Sequence, residues 1–105
     1  MYEIVIPVQT PLPPGGEVRS KVFDLDGFVT ASINVSITAP DAQVERRIHF
    51  GPAPNNGFAL VRSDTFGTSN HLYTAMPVHA PQAFIIVANR GTQTHTVEAT
   101  VYAAH

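Results

Sequence analysis

The chain has 105 residues, a net charge of −2 and no cysteine. Its length suits one domain, residues 1–105, with a core large enough to fold without metal or cross-link. The missing thiols exclude a disulfide framework, thiol redox chemistry and thiolate metal sites. Six basic residues against eight acidic ones leave no basic excess for phosphate binding, so no nucleic-acid partner is expected.

In chain order, Tyr2, Ile4, Ile6 and Val8 alternate with Glu3, Val5, Pro7 and Gln9. This reads as a strand, and its proline marks an edge or a strand end. No basic segment precedes these apolar residues, so no secretion signal is read there and a cytoplasmic or particle-associated protein is expected. Residues 11–16 form a stiff proline segment ending in two glycines, and residues 17–25 read as a second strand whose phase can shift. Asp26-Gly27 is a tight turn. Over residues 28–38, Val29, Ala31, Ile33, Val35 and Ile37 alternate with Thr30, Ser32, Asn34, Ser36 and Thr38, the period of a half-buried strand.

After a Pro40-Asp41 turn, Val44, Arg46, Ile48 and Phe50 share one phase and Glu45, Arg47 and His49 the other. Residues 51–57 carry Pro52, Pro54 and Asn55-Asn56-Gly57 and read as a turn before a short run at 58–62. A long loop over residues 63–70 leads to Leu72, Thr74, Met76 and Val78. Residues 83–88 are apolar on both faces, as in a strand covered on both sides or one at an interface. At six residues the run is far short of the roughly 20 needed to span a bilayer as a helix, so no membrane partner is expected. Gly91 marks the last turn, and Val97, Ala99, Val101 and Ala103 then alternate with Thr96, Glu98, Thr100 and Tyr102.

About eight runs with no helical period predict an all-β fold, a two-sheet antiparallel sandwich. In a jelly roll, runs one, eight, three and six would form one sheet and runs two, seven, four and five the other. That order makes neighbours of the two threonine-rich strands and places the apolar seventh run inside a sheet. An immunoglobulin-like Greek key is the alternative.

Five histidines, His49, His71, His79, His95 and His105, lack the close spacing of a metal site, so no metal or other cofactor is expected. Neither Gly-x-Ser-x-Gly nor His-Glu-x-x-His occurs, and no catalytic residue is assigned. Asp24-Leu25-Asp26-Gly27 lacks the downstream ligands of a calcium loop and reads as a turn. Asn34-Val35-Ser36 fits a glycosylation acceptor but falls inside a strand.

Charged residues make up 13% of the chain and hydrophobic ones 44%, against about 25% charged in ordinary soluble domains. Such a surface suits burial against other subunits. The expected function is therefore a non-catalytic structural or assembly protein, a subunit of a homo-oligomer or of a larger particle such as a virion or tail accessory. Its contact face would comprise Thr30, Ser32, Asn34, Thr96, Thr100 and Tyr102. Arg46, aimed at the core by its phase, would be relieved by a bulge at Arg46-Arg47 or a place at the strand mouth; alternatively it pairs with an acid at the interface.

A second reading is a carbohydrate-binding module. The jelly roll gathers residues 11–16, 40–43, 63–70 and 89–92 at one end, where Asp64, Asn70, His71, Asn89 and Arg90 with Phe66 would hold a sugar. A third is a small metal-dependent enzyme with ligands assembled across strands.

Overall fold

A computed structural model describes residues 1–52 and 57–105. The nine strands are β1 (Tyr2–Leu12), β2 (Glu17–Arg19), β3 (Phe23–Asp24), β4 (Thr30–Ile37), β5 (Val44–Gly51), β6 (Ala59–Thr65), β7 (His71–Pro77), β8 (Gln82–Asn89) and β9 (His95–Ala104). They form two antiparallel sheets. The first has the order β1-β9-β4-β7, and the second β2-β8-β5-β6 with β3 also on β8. This is the jelly-roll order expected from the sequence, not the immunoglobulin-like one. The Asn55-Asn56 turn lies outside the described residues.

The second run divides into β2 and β3 at a buried serine. Ser20 donates its backbone N–H to the Ile85 carbonyl at 2.9 Å, and its hydroxyl accepts from the Ile85 N–H at 2.9 Å. The hydroxyl in turn donates to the Lys21 carbonyl at 2.8 Å. One side chain thus does the work of a ladder carbonyl, and the inward phase moves from even to odd positions by Phe23 and Leu25, both buried.

The core lies between the sheets and follows period two. Ala31, Ile33, Val35 and Ile37 on β4 and Val97, Ala99, Val101 and Ala103 on β9 face Val44, Ile48, Phe50, Ile85 and Val87 of the second sheet. Each fully buried aliphatic contributes roughly 1.5–3 kcal/mol. The two-sided burial of β8 has a local cause. Outside the core, Phe84 is covered by the imidazole of His49, stacked at 4.6 Å, and by the guanidinium of Arg19, 3.8 Å from its ring centre.

β1 departs from the expected phase. A register shift between Ile4 and Ile6 leaves Tyr2 and Ile4 exposed while Val5 and Ile6 are buried, so its apolar residues divide between the two faces.

Arg46 is fully buried, and no bulge relieves it. The β5–β8 pairing runs without interruption through Arg46 opposite Val87, and the register break against β6 falls between Ile48 and His49. The acid it meets belongs to its own chain rather than to a second subunit. Its guanidinium donates to the Asp64 carboxylate on β6 at 2.5 Å and to the Thr74 hydroxyl on β7 at 2.6 Å, tying the second sheet to the first. Burial lowers its pKa, and Asp64 opposes that shift. Asp64 also accepts from Arg62 at 2.8 Å.

The loops after β1, β4, β6 and β8 gather at one end, as expected. Gly15 donates to the Asn89 carbonyl, Arg90 to that of Gln43 and Phe66 to that of Val44. There His95, buried, bonds through Nε2 to Asp41 at 2.8 Å.

Removing Asp64 leaves the Arg46 charge buried without a counter-ion. The usual cost is about 3–5 kcal/mol. Because Asp64 keeps a third of its side chain in solvent, the lower end, about 3 kcal/mol, is expected for Asp64→Ala in urea unfolding. Combining it with Arg46→Met should recover most of the loss. A double variant as unstable as the single one would contradict this account.

The hydrogen bonds of Asp64 with Arg62 and of Asp41 with His95 head the causes that lower both carboxyl pKa values. Each group binds its proton more weakly in the folded than in the unfolded chain. Its stabilising contribution is therefore complete above the unfolded value near 4 and disappears as pH falls through the folded one. Melting temperature should drop below about pH 4, and less steeply than wild type in Asp64→Asn or Asp41→Asn.

Candidate functional site

A β-sandwich can meet partners through its edges or its faces, and most edges here are guarded. β1 is interrupted by register shifts and by Pro7 and Pro11; β2 and β3 span three and two residues. β6 skips Val61 in its pairing and turns Arg62 and Asp64 to the inner side. Of the longer edge strands, β1, β6 and β7, only β7 pairs without a register shift.

The two outer faces differ sharply. That of the second sheet is laced with its own ion pairs, Arg47 with Glu45 at 3.0 Å and with Glu17 at 3.3 Å, and Arg90 with Glu45 at 3.6 Å. Burial, followed by the nearby Arg47 and Arg19 charges, lowers the His49 pKa. This face has largely satisfied its charges internally.

On the four strands of the first sheet, the only charged residues are Glu3 and Glu98. Glu3 sits on the edge, paired with Lys21. All three tyrosines of the chain are on this outer face, with Tyr2 64%, Tyr73 68% and Tyr102 57% exposed, and Ile4 at 50% beside them. The register places Tyr2, Tyr102, Ser32 and Ala75 side by side across β1, β9, β4 and β7. Ile4, Thr100, Asn34 and Tyr73 form the next row. Thr30 and Thr96 are exposed on the same face. Six of the seven residues expected at an interface thus share one surface, and Arg46 is buried behind it. Sequence reasoning missed Tyr73, although its alternation with the inward Leu72 and Thr74 marks it. It also missed Tyr2 and Ile4, whose outward direction depends on the bulge.

The loop-end set is dispersed. Phe66 is in the core and Asn89 is buried. The Asn89 amide donates to the carbonyls of Leu12 at 3.2 Å and Gln93 at 2.7 Å, while its oxygen accepts from Gly91 N–H at 3.0 Å. It staples two loops together. Asp64 is engaged by Arg46 and Arg62, and the Asn70 carbonyl accepts from Ile37. Arg90 remains exposed beside Glu45. His71 lies on the tyrosine face, its Nδ1 2.9 Å from the Ser36 hydroxyl and its ring stacked on Tyr73. The other histidines are likewise engaged: His79 meets Phe50, His105 stacks on Phe28 and His95 bonds to Asp41. Among the described residues, no group of three His, Asp or Glu side chains could hold a metal.

The tyrosine face also carries a hollow of about 220 Å³. Between Ile6 opposite Ala99 and Thr10 opposite Val97, Pro7, Val8 and Gln9 of β1 stand against the single residue Glu98. The Thr10 hydroxyl closes this bulge by donating to the Pro7 carbonyl at 2.7 Å. Gln9 adopts φ 61°, in the left-handed region, which costs a residue other than glycine roughly 1–2 kcal/mol. Val8, Gln9, Ser36, Thr38, Thr96 and Glu98 line the hollow.

No family model and no curated protein matches the chain. Among solved structures, the chain is similar in fold to PirA, with TM-score 0.59 and 13% identity over 97% of this chain and 92% of the other. It is also similar to the SPBc2 prophage-derived protein YomS, with TM-score 0.56 and 14% identity over 96% and 90%. At such identities the likeness establishes a common fold.

Proposed function

We propose that this chain is a non-catalytic structural subunit that assembles by burying the tyrosine face of its first sheet against a second copy of itself. The observation that carries this reading is the separation of charge. Glu98 is the one charged residue on the outer face of that sheet, away from its β1 edge, while all three tyrosines project from it. Interface cores are depleted in charge and enriched in tyrosine, whose ring buries apolar area while its hydroxyl finds a polar partner. Thr30, Ser32, Asn34 and Thr100 supply short neutral hydrogen-bonding groups between the rings. Two such faces apposed by a two-fold axis would meet with little like-charge repulsion, and the contact is self-complementary by symmetry. The interrupted β1 edge, the short β2 and β3 and the charged β6 favour association by faces over those edges. The fold shared with a prophage-derived protein agrees with a place in a virus-like particle.

A face-to-face dimer would bury about 800 Å² per partner. Sedimentation equilibrium of the wild type should therefore show a dimer or a larger closed species. Tyr73→Glu with Tyr102→Glu should dissociate it to monomer, because each change places an unpaired carboxylate in the contact. The variant's far-ultraviolet circular dichroism should not change, since both side chains are already solvent-exposed in the single chain. A wild type that stays monomeric at millimolar concentration rejects the reading.

A further inference from the structure

We propose that the hollow beneath the β1 bulge binds a neutral saccharide ring. The lining shares Thr96 with the contact face expected from the sequence, but a bound sugar requires no second copy of the chain. The hollow lies at the loop end of the tyrosine face, its Glu98 four residues along β9 from Tyr102, or about 13 Å at 3.3 Å per residue.

Three features of the lining select this ligand class. The first is its donor and acceptor set. The Thr38 and Thr96 hydroxyls lie 3.1 Å apart, and Thr38 also accepts from the Thr96 N–H at 2.8 Å. The Ser36 hydroxyl is 2.9 Å from His71 Nδ1, so each of the three keeps only part of its capacity for a ligand. The Gln9 amide can donate and accept, and the Glu98 carboxylate only accepts. A sugar presents adjacent hydroxyls that can donate as a pair to one carboxylate and accept from neighbouring hydroxyls. Glu98 has no ion-pair partner among the described residues, so its acceptor capacity is open to a ligand.

The second is charge. No cationic side chain lines the hollow, so a phosphate, sulfate or carboxylate ligand would meet Glu98 uncompensated. A divalent cation would need six or more oxygen ligands, with carboxylates prominent among them, and only one carboxylate lines the hollow. A neutral polyol avoids both penalties.

The third is size and continuation. The volume, about 220 Å³, is below the roughly 300–1,000 Å³ of sites for drug-sized ligands and suits a single ring. Val8, 62% exposed, offers an apolar wall for the ring's C–H face. Beyond Ser36, His71, whose Nδ1 lies 2.9 Å from the Ser36 hydroxyl, continues the polar surface toward a second sugar unit. The strained Gln9 gives independent support. A left-handed glutamine where glycine would be relaxed holds its amide at the rim, and such strain persists at sites where geometry serves a ligand.

The experiment is an ¹⁵N-resolved NMR titration of the full chain with glucose, galactose, mannose and N-acetylglucosamine. Sialic acid and glucosamine provide the anionic and cationic arms. At least one neutral sugar should give saturable shifts confined to residues 8–10, 36–38 and 96–98, with a dissociation constant on the order of 1 mM. Glu98→Gln should weaken that binding about tenfold by removing a charged acceptor. Gln9→Gly should weaken it severalfold without lowering the melting temperature, because glycine accepts the same backbone without strain. Tyr102→Ala should leave it unchanged. The proposal is overturned if no neutral sugar produces shifts, if the shifts map elsewhere, if only a charged arm binds, or if Gln9→Gly loses binding only by unfolding. A monomeric wild type would reject the assembly reading and leave this one standing.

Discussion

The two-residue rhythm of β4 and β9 is the constraint from which the rest of the molecule follows. Once Ile33, Val35, Val97 and Val101 are committed to the core, the opposite side chains have no choice of direction. Thr30, Ser32, Asn34, Thr96, Glu98, Thr100 and Tyr102 must all project from one plane. Apolar burial drives the sheets together without distinguishing one outer face from the other. The outer residues are thereby released from folding, and their composition records other demands. One face is filled with paired charges, and the other is nearly neutral and bears every tyrosine.

Hydrophobic packing tolerates small slides of one sheet over the other, but the Arg46 contacts do not. Its guanidinium needs Asp64 within its own sheet and Thr74 across the core at the same time. A displaced sheet leaves a cation in a dry interior, which costs far more than a misfitted methyl. Well-packed apolar residues could equal the pair in stability. The charge adds a penalty on wrong alignment. It also stands where β6 supplies no large apolar residue to the core: the inward positions of that strand hold Asp64 and Arg62. The same inward charges guard the edge.

The architecture was readable from sequence because alternation, turn residues and strand count agree on it independently. Even the break in the second run was visible as a change of phase, though not its cause, a serine hydroxyl that takes a place in the ladder. Where reading failed, a local event overrode the period. Tyr2, Ile4, Ile6 and Val8 look like one stripe, and a bulge divides them between core and solvent. Arg46 looked like an error of phase that a bulge should correct, yet the chain keeps the phase and pairs the charge. Phe66 and Asn89 sit in loop sequence and carry the residue types of a sugar site. Packing took the ring and the loops' orphan amide and carbonyl groups took the asparagine. None of these outcomes depends on composition. Each depends on which partner a residue meets across the fold.

The bulge of β1 links these themes. A regular edge strand here would leave a continuous row of free amides and carbonyls next to a neutral, tyrosine-bearing face, inviting open-ended growth of the sheet. Setting three residues against Glu98 breaks that row on the β1 side, so that of the two edges of this sheet only β7 remains regular. The same displacement lifts Val8 and Gln9 away from β9 and opens the hollow over Thr38, Thr96 and Glu98. Left-handed strain at Gln9 thus accompanies two features, an edge that resists pairing and a polar recess. The Thr10 hydroxyl bond to the Pro7 carbonyl holds the turn that produces both. A straight strand through those residues would have provided neither.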